Sequence, residues 1–216
     1  MLFFIGILVL NVLISIWNCY AVGTAWKDTM AMGGWFNKLL LWSGVIQSGV
    51  GFSMPILLTL SWGSISYLTS GVKPTLSPEE GQAVMTTIFN LWYVAIIFPI
   101  LGSGLAIWAH SLREAYRRRD FSSIATAGWN TFAQIHNTVS AVENLGGVFG
   151  QLGGFFGKIV KAEKDDSDDI KSKLVVLVVM LVVLSLFGGF MITFALVKYF
   201  AVNSESRLEQ YARARA

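Results

Sequence analysis

Residues 121–160 read FSSIATAGWNTFAQIHNTVSAVENLGGVFGQLGGFFGKIV, and Glu143 is the one charged side chain between Asp120 and Lys158. Arg117-Arg118-Arg119 precedes the stretch, and a run of lysines and aspartates follows it. Apolar or small residues recur at alternating steps of four and three: Phe121, Ala125, Gly128, Phe132, Ile135, Val139, Val142, Gly146, Phe149, Gly153, Phe156 and Val160. A mean step of about 3.5 residues is the seam of a packed helix. The opposite positions carry Ser123, Asn130, Asn137 and Asn144, all neutral. A coiled coil in water holds charged residues beside its seam. Their absence predicts a membrane surface or a tightly packed oligomer.

The second half of the stretch places Gly146, Gly150 and Gly154 at intervals of four, with Gly147, Gly153 and Gly157 around them. Each glycine costs an isolated helix about 1 kcal/mol relative to alanine, so six cost roughly 6 kcal/mol. A lone helix in water is excluded. Three readings stay open: an interfacial or re-entrant amphipathic segment, a protein-packing face, or a flexible Gly-rich loop. Gly146, Phe149, Gly150, Gly153, Gly154 and Phe156 are the candidate residues for packing or membrane interaction.

Around this stretch lie long apolar runs. Of the 216 residues, 54% are hydrophobic and 13% charged, against about 25% charged in soluble domains. With a mean hydropathy of +0.60, the composition predicts an all-α integral membrane protein rather than a soluble core. A bilayer core needs roughly 20 apolar helical residues to cross. Four runs qualify, at about residues 2–22, 39–68, 83–109 and 174–200. The expected organisation is a three-span region over residues 1–110 and a long amphipathic, Gly-rich cytoplasmic loop with a charged linker over 111–173. The fourth span and a short polar tail follow over 174–216. The N-terminal run lacks the positive flank of a signal peptide and is expected to be a retained span. Residues 23–38 read as a loop.

Within the spans, Asn11, Ser15 and Asn18 share one helix face, and Gln47 is the one large polar side chain of the second span. Such groups are expected to bond across helices, or in Gln47's case to line a pore. Ser77-Pro78-Glu79-Glu80 is a capping box with proline at the first helical position. It predicts one helix of roughly 40 residues from Pro78 toward Arg119, with bend points at Pro99 and Gly102–Gly104.

Lysine and arginine counts orient the chain. With four spans, one side holds Lys27, Lys38, Arg113, Arg117, Arg118, Arg119, Lys158, Lys161, Lys164, Lys171 and Lys173; the other holds Lys73, Lys198, Arg207, Arg213 and Arg215. The positive-inside rule then places residues 110–173 in the cytoplasm and both termini outside, in a bacterial inner or plasma membrane. Arg113, Arg117, Arg118 and Arg119 are expected at anionic lipid headgroups.

Chemistry is sparse. His110 and His136 have no ligand-spaced partner, so no metal site is expected. Ile170 occupies the place of an EF-hand glycine in a loop begun at Asp165. There is no phosphate-binding loop, no nucleophile with a base and no nucleic-acid signature. Catalytic and cofactor-binding residues are expected to be none. Cys19 is the one cysteine. No ionisable residue lies within the four spans, which disfavours ion-coupled transport.

The function expected is a non-enzymatic structural or assembly subunit of an oligomeric membrane complex, such as an envelope machine, a mobile-element product or a virion membrane. A pore-forming or membrane-permeabilising protein is the alternative. Expected partners are the bilayer, its anionic headgroups, and further copies or other membrane subunits; a nucleic-acid partner is not expected.

Overall fold

A computed structural model of the chain describes residues 2–70, 75–161, 168–205 and Arg213. Its described residues form five helices: α1 (Leu2–Met32), α2 (Trp35–Ser70), α3 (Pro78–Arg118), α4 (Phe121–Lys161) and α5 (Asp168–Asn203). Four of them, α1, α2, α3 and α5, are long and apolar enough to cross a membrane.

Local chemistry explains the boundaries. Ser77 caps α3 as the sequence predicts: its hydroxyl accepts from the Glu80 amide at 3.2 Å, and the Glu80 carboxylate accepts from the Ser77 amide at 2.8 Å. The helix runs unbroken through Pro99 to Arg118, the long helix expected. Between α1 and α2 the expected loop over 23–38 shrinks to Gly33–Gly34, because α1 continues through Lys27 and Asp28. The Gly33 amide closes that turn on the Thr29 carbonyl at 2.8 Å.

The larger correction concerns residues 121–161. They form no loop but a continuous helix of 41 residues, the same length as α3. Arg119 sits in the left-handed region at φ 55° and Asp120 starts the next helix, so α3 and α4 form a hairpin with almost no connection. The two helices lie antiparallel along their length. The Trp108 indole N–H donates to the Thr131 hydroxyl at 2.9 Å near one end, and the Asn90 carboxamide donates to Gln151 at 2.6 Å near the other.

Every consecutive pair is antiparallel. Asn11 and Trp26 of α1 meet Gly51 and Trp42 of α2, and Trp92 and Ser103 of α3 meet Ser53 and Gln47 of α2. The α3–α4 turn therefore lies at the end of the bundle that holds Phe36, Trp26 and Phe200. Phe155 of α4 lies at the opposite end with Leu76 and Leu174. Residues 110–173 do not sit on one side of the bundle, since α4 carries the chain from one end to the other. The start of α1 and the finish of α5 likewise lie at opposite ends.

α2 is the central helix, packed against α1, α3 and α5. Small residues make this possible. Ser43, Ser48, Ser53 and Ser61 are all at most 1% exposed, as are Ser185 and Thr193 of α5. Buried hydroxyls need partners; Ser43, Ser48 and Thr193 donate to carbonyls one turn back, at 2.8, 2.9 and 3.0 Å. A Cβ at Gly189 would strike the Gly49 carbonyl and stand 2.7 Å from the Ser53 nitrogen. Overpacking of such a contact costs about 1–3 kcal/mol. Gly189→Leu is therefore expected to lower the unfolding midpoint in detergent, read by circular dichroism. Gly150→Ala, at an open position, should leave it unchanged or raise it by up to about 1 kcal/mol of helix propensity.

Candidate functional site

α4 presents two faces of opposite character, and the apolar seam picked out by the sequence is the one turned away from the rest of the chain. Ser123, Ala127, Gln134, Ala141 and Leu152 are buried at 9% exposure or less. These are mostly small or polar, and they face α3. The apolar seam points outward: Phe121 is 88% exposed, Val142 74%, Phe132 63% and Ile135 59%. Polarity inside and hydrocarbon outside reverses the arrangement of a helix in water. The inner face is held by hydrogen bonds. Besides Trp108–Thr131 and Asn90–Gln151, the Tyr93 hydroxyl donates to the Ser140 carbonyl at 3.4 Å.

The glycines follow the outward face. A Cβ on Gly146, Gly147, Gly150, Gly153, Gly154 or Gly157 would meet nothing within 4 Å. They pack on no other part of the described chain. Phe149 is half exposed, and Phe156 stands edge-on to Phe155 with ring centres 5.5 Å apart. Gly154 lines a cavity of about 700 Å³ with Leu76, Val84, Thr87, Gln151 and Leu174, where α3, α4 and α5 meet. Glu143 is exposed on α4 and has no ion pair or hydrogen bond among the described residues.

The polar residues picked out within the spans come together in part. The Asn11 carboxamide donates to the Gly51 carbonyl at 3.0 Å, and the Ser15 hydroxyl donates to the Asn11 carbonyl at 2.8 Å. Gln47 donates to the Ser103 hydroxyl at 3.4 Å. Asn18 is half-buried and makes no such bond among the described residues. Asn11 and Gln47 also line a crevice of about 400 Å³, walled by Trp92, Ile96 and Ile100. Asn137 of α4 is the third carboxamide there. It has no hydrogen-bond partner among the described residues. The convergence of three amides from α1, α2 and α4 was beyond sequence reading, because no spacing rule links residues 11, 47 and 137.

The arginines cluster at the α3–α4 turn. Arg118 and Arg117 reach Glu114 at 3.0 and 3.8 Å, on an exposed surface where such pairs contribute little. The Arg119 guanidinium lies over the Tyr116 ring at 5.6 Å, and Arg113 is exposed. His110 is near Phe36 in the same region, while His136 stacks on Phe132 at 6.2 Å between ring centres. Among the described residues no group of three His, Cys, Asp or Glu side chains could hold a metal ion. The tail helix beyond Ser204 and the Asp165 segment lie outside the described residues, apart from Arg213, which pairs with Glu205.

Comparison with protein families, with curated proteins and with solved structures finds no match to this chain.

Asp120 caps α4, and the cap is pH-dependent. Its carboxylate accepts from the Ser123 amide at 2.7 Å. That backbone bond, then the Ser123 hydroxyl, holds the acid below its ordinary value, with a smaller contribution from Arg118 and opposed by slight desolvation. A lowered folded value means the cap stabilises the turn above the ordinary carboxylate range and loses that effect as pH falls through the lowered value. The protection of the Ser123 and Ile124 amides, measured against the intrinsic exchange rate at each pH, should fall on acidification. In Asp120→Asn the amide oxygen still caps, so that acid-dependent loss of protection should vanish.

Proposed function

We propose that the chain is a non-enzymatic structural or assembly subunit of an oligomeric membrane complex, crossing the bilayer five times. The outward face of α4 carries this reading. In water, that face would leave Phe121, Trp129, Phe132, Ile135, Val142 and Phe149 exposed in one strip, a surface soluble monomers avoid. The six glycines of residues 146–157 would also weaken the helix by roughly 6 kcal/mol. In hydrocarbon both objections fall away, because apolar side chains are solvated there and backbone groups have no water to compete for them. α4 is coextensive with α3, one of the four helices apolar enough to cross. Open glycines at intervals of four then offer a neighbouring chain a close approach.

A fifth crossing changes the orientation arithmetic. By connectivity, one end of the bundle holds Lys27, Lys38, Arg113, Arg117, Arg118, Arg119, Lys198, Arg207, Arg213 and Arg215, and the other holds Lys73, Lys158, Lys161, Lys164, Lys171 and Lys173. The ten outweigh the six, and the arginine turn remains on the cytoplasmic side. The C-terminal tail joins it, the N-terminus stays outside, and the linker between α4 and α5 moves outside. Arg113 and Arg119 remain candidates for anionic headgroups.

Cysteine mapping in a Cys19→Ser background tests the crossings. In intact cells an impermeant maleimide should label Ser172→Cys, and should reach Ser122→Cys and Asn203→Cys only after permeabilisation. Equal labelling of Ser122→Cys and Ser172→Cys sinks the fifth crossing. Assembly is tested by light scattering in mild detergent. The wild type should run above the 23.8 kDa monomer, and Gly150→Leu should shift it toward monomer without changing helix content. A strictly monomeric wild type contradicts the proposal.

The carboxamide crevice favours a second reading, in which a ring of copies encloses a polar passage. Dye release from liposomes separates the two; no release at high protein-to-lipid ratio removes the pore.

A further inference from the structure

The crevice and Glu143 lie at one level of the bundle. Trp108 pairs with Thr131 and Asn90 with Gln151, and a Cβ on Gly104 would meet the Gln134 side chain. This antiparallel register sets Glu143 beside the middle of α3, near Ala95 and Ile96. Ile96, with Trp92 and Ile100, walls the crevice that holds Asn11, Gln47 and Asn137. Of the three amides Asn11, bonded to Gly51 beside the Trp92–Ser53 contact, stands at this depth on a different face of the chain, while Gln47 at Ser103 and Asn137 lie further along. Glu143 follows Asn137 by six residues, which rotates it about 120° around α4 and carries it about 9 Å along. It points away from its own crevice.

An ionised carboxylate at mid-bilayer demands donors. Asn11 spends one of its two amide protons on Gly51 and keeps the other to offer. Copies inserted with one orientation hold Glu143 and Asn11 at matching depths. We propose that the Glu143 carboxylate of one copy is received at the Asn11 end of the crevice of a second copy. This rests on the membrane-assembly reading above. The contact is head-to-tail, since Glu143 and the crevice lie on different faces of the chain and one shared two-fold patch cannot hold both. A head-to-tail contact repeats into a closed ring or an open row.

The test uses the full chain in native membranes with Cys19→Ser. Glu143→Cys combined with Asn11→Cys should give a ladder of disulfide-linked species on mild oxidation, and neither substitution alone should. A dimer from Glu143→Cys alone shows the two-fold contact and overturns the proposal. No ladder from a double variant that still runs as an oligomer by light scattering overturns it too, leaving the assembly reading intact; a monomer by both measures, in wild type as well, fails that reading itself. Without cysteines, Glu143→Leu should weaken assembly at least tenfold and Glu143→Gln, which keeps hydrogen bonds to amides, distinctly less. Full assembly of Glu143→Leu refutes the contact.

Discussion

The passage of α5 across α2, backbone against backbone at Gly189, Gly49 and Ser53, is the contact on which the rest of the bundle depends. It requires residues without bulk, and α2 supplies them: Ser43, Ser48, Gly49, Gly51, Ser53 and Ser61 are all buried. Once α2 is this thin, α1 can bring Ser15 over Gly51 and α3 can lay Trp92 onto Ser53. The serine hydroxyls make close approach compatible with polarity. Ser43, Ser48 and Ser53 donate to carbonyls of their own helix, Ser53 accepts a second bond from the Trp92 indole at 3.0 Å, and the buried Ser61 hydroxyl has no partner among the described residues. Leu57, Ile88 and Val178, none of them measurably exposed, fill the space between these polar contacts.

The same logic extends to α4 with less force. It touches chiefly α3, through a strip of small and amide side chains. Gln134 is the tightest point, with its side chain filling the space above Gly104. A helix attached along one face has most of its circumference left over, and here the remainder is largely aromatic, aliphatic and glycine, with Glu143 the one charge between Asp120 and Lys158. Hydrogen bonds bind α4 to its own chain. The outward side is shaped for a different medium or a different molecule, and the proposed assembly answers that requirement.

Much of this was legible in residues 1–119. The capping box at Ser77, the long α3 and the four apolar helices follow from hydropathy length and from one cap motif. The hairpin position was half visible, since the chain's charge cluster falls where α3 ends. What the periodicity in α4 left open was which side of the helix meets its own chain. A repeat of apolar residues tells which positions share a face, and only the surrounding medium tells which face is buried. Ser123, Asn130 and Asn137 belong together on that repeat, and the structure turns them toward α3. The charge-free flanks of the strip pointed to a non-aqueous setting or a packed neighbour, and the seam lies outward, free of the chain's own helices.

An inward-facing set of Ser, Thr, Asn and Gln dilutes the average hydropathy of α4, so a scan by apolar length counts four helices. By parity four crossings put the start of α1 and the finish of α5 on one side, whereas in the bundle they lie at opposite ends. The register with α3 removes the ambiguity, because a helix of equal length bonded to its neighbour near both ends must finish where that neighbour began. Within the proposed membrane setting, Glu143 then becomes the most constrained residue in the chain. A charge in a water-exposed loop is free to do nothing. A charge halfway along a helix whose surroundings are hydrocarbon must find donors, and the Asn11 carboxamide at its own depth is out of its reach except on another copy.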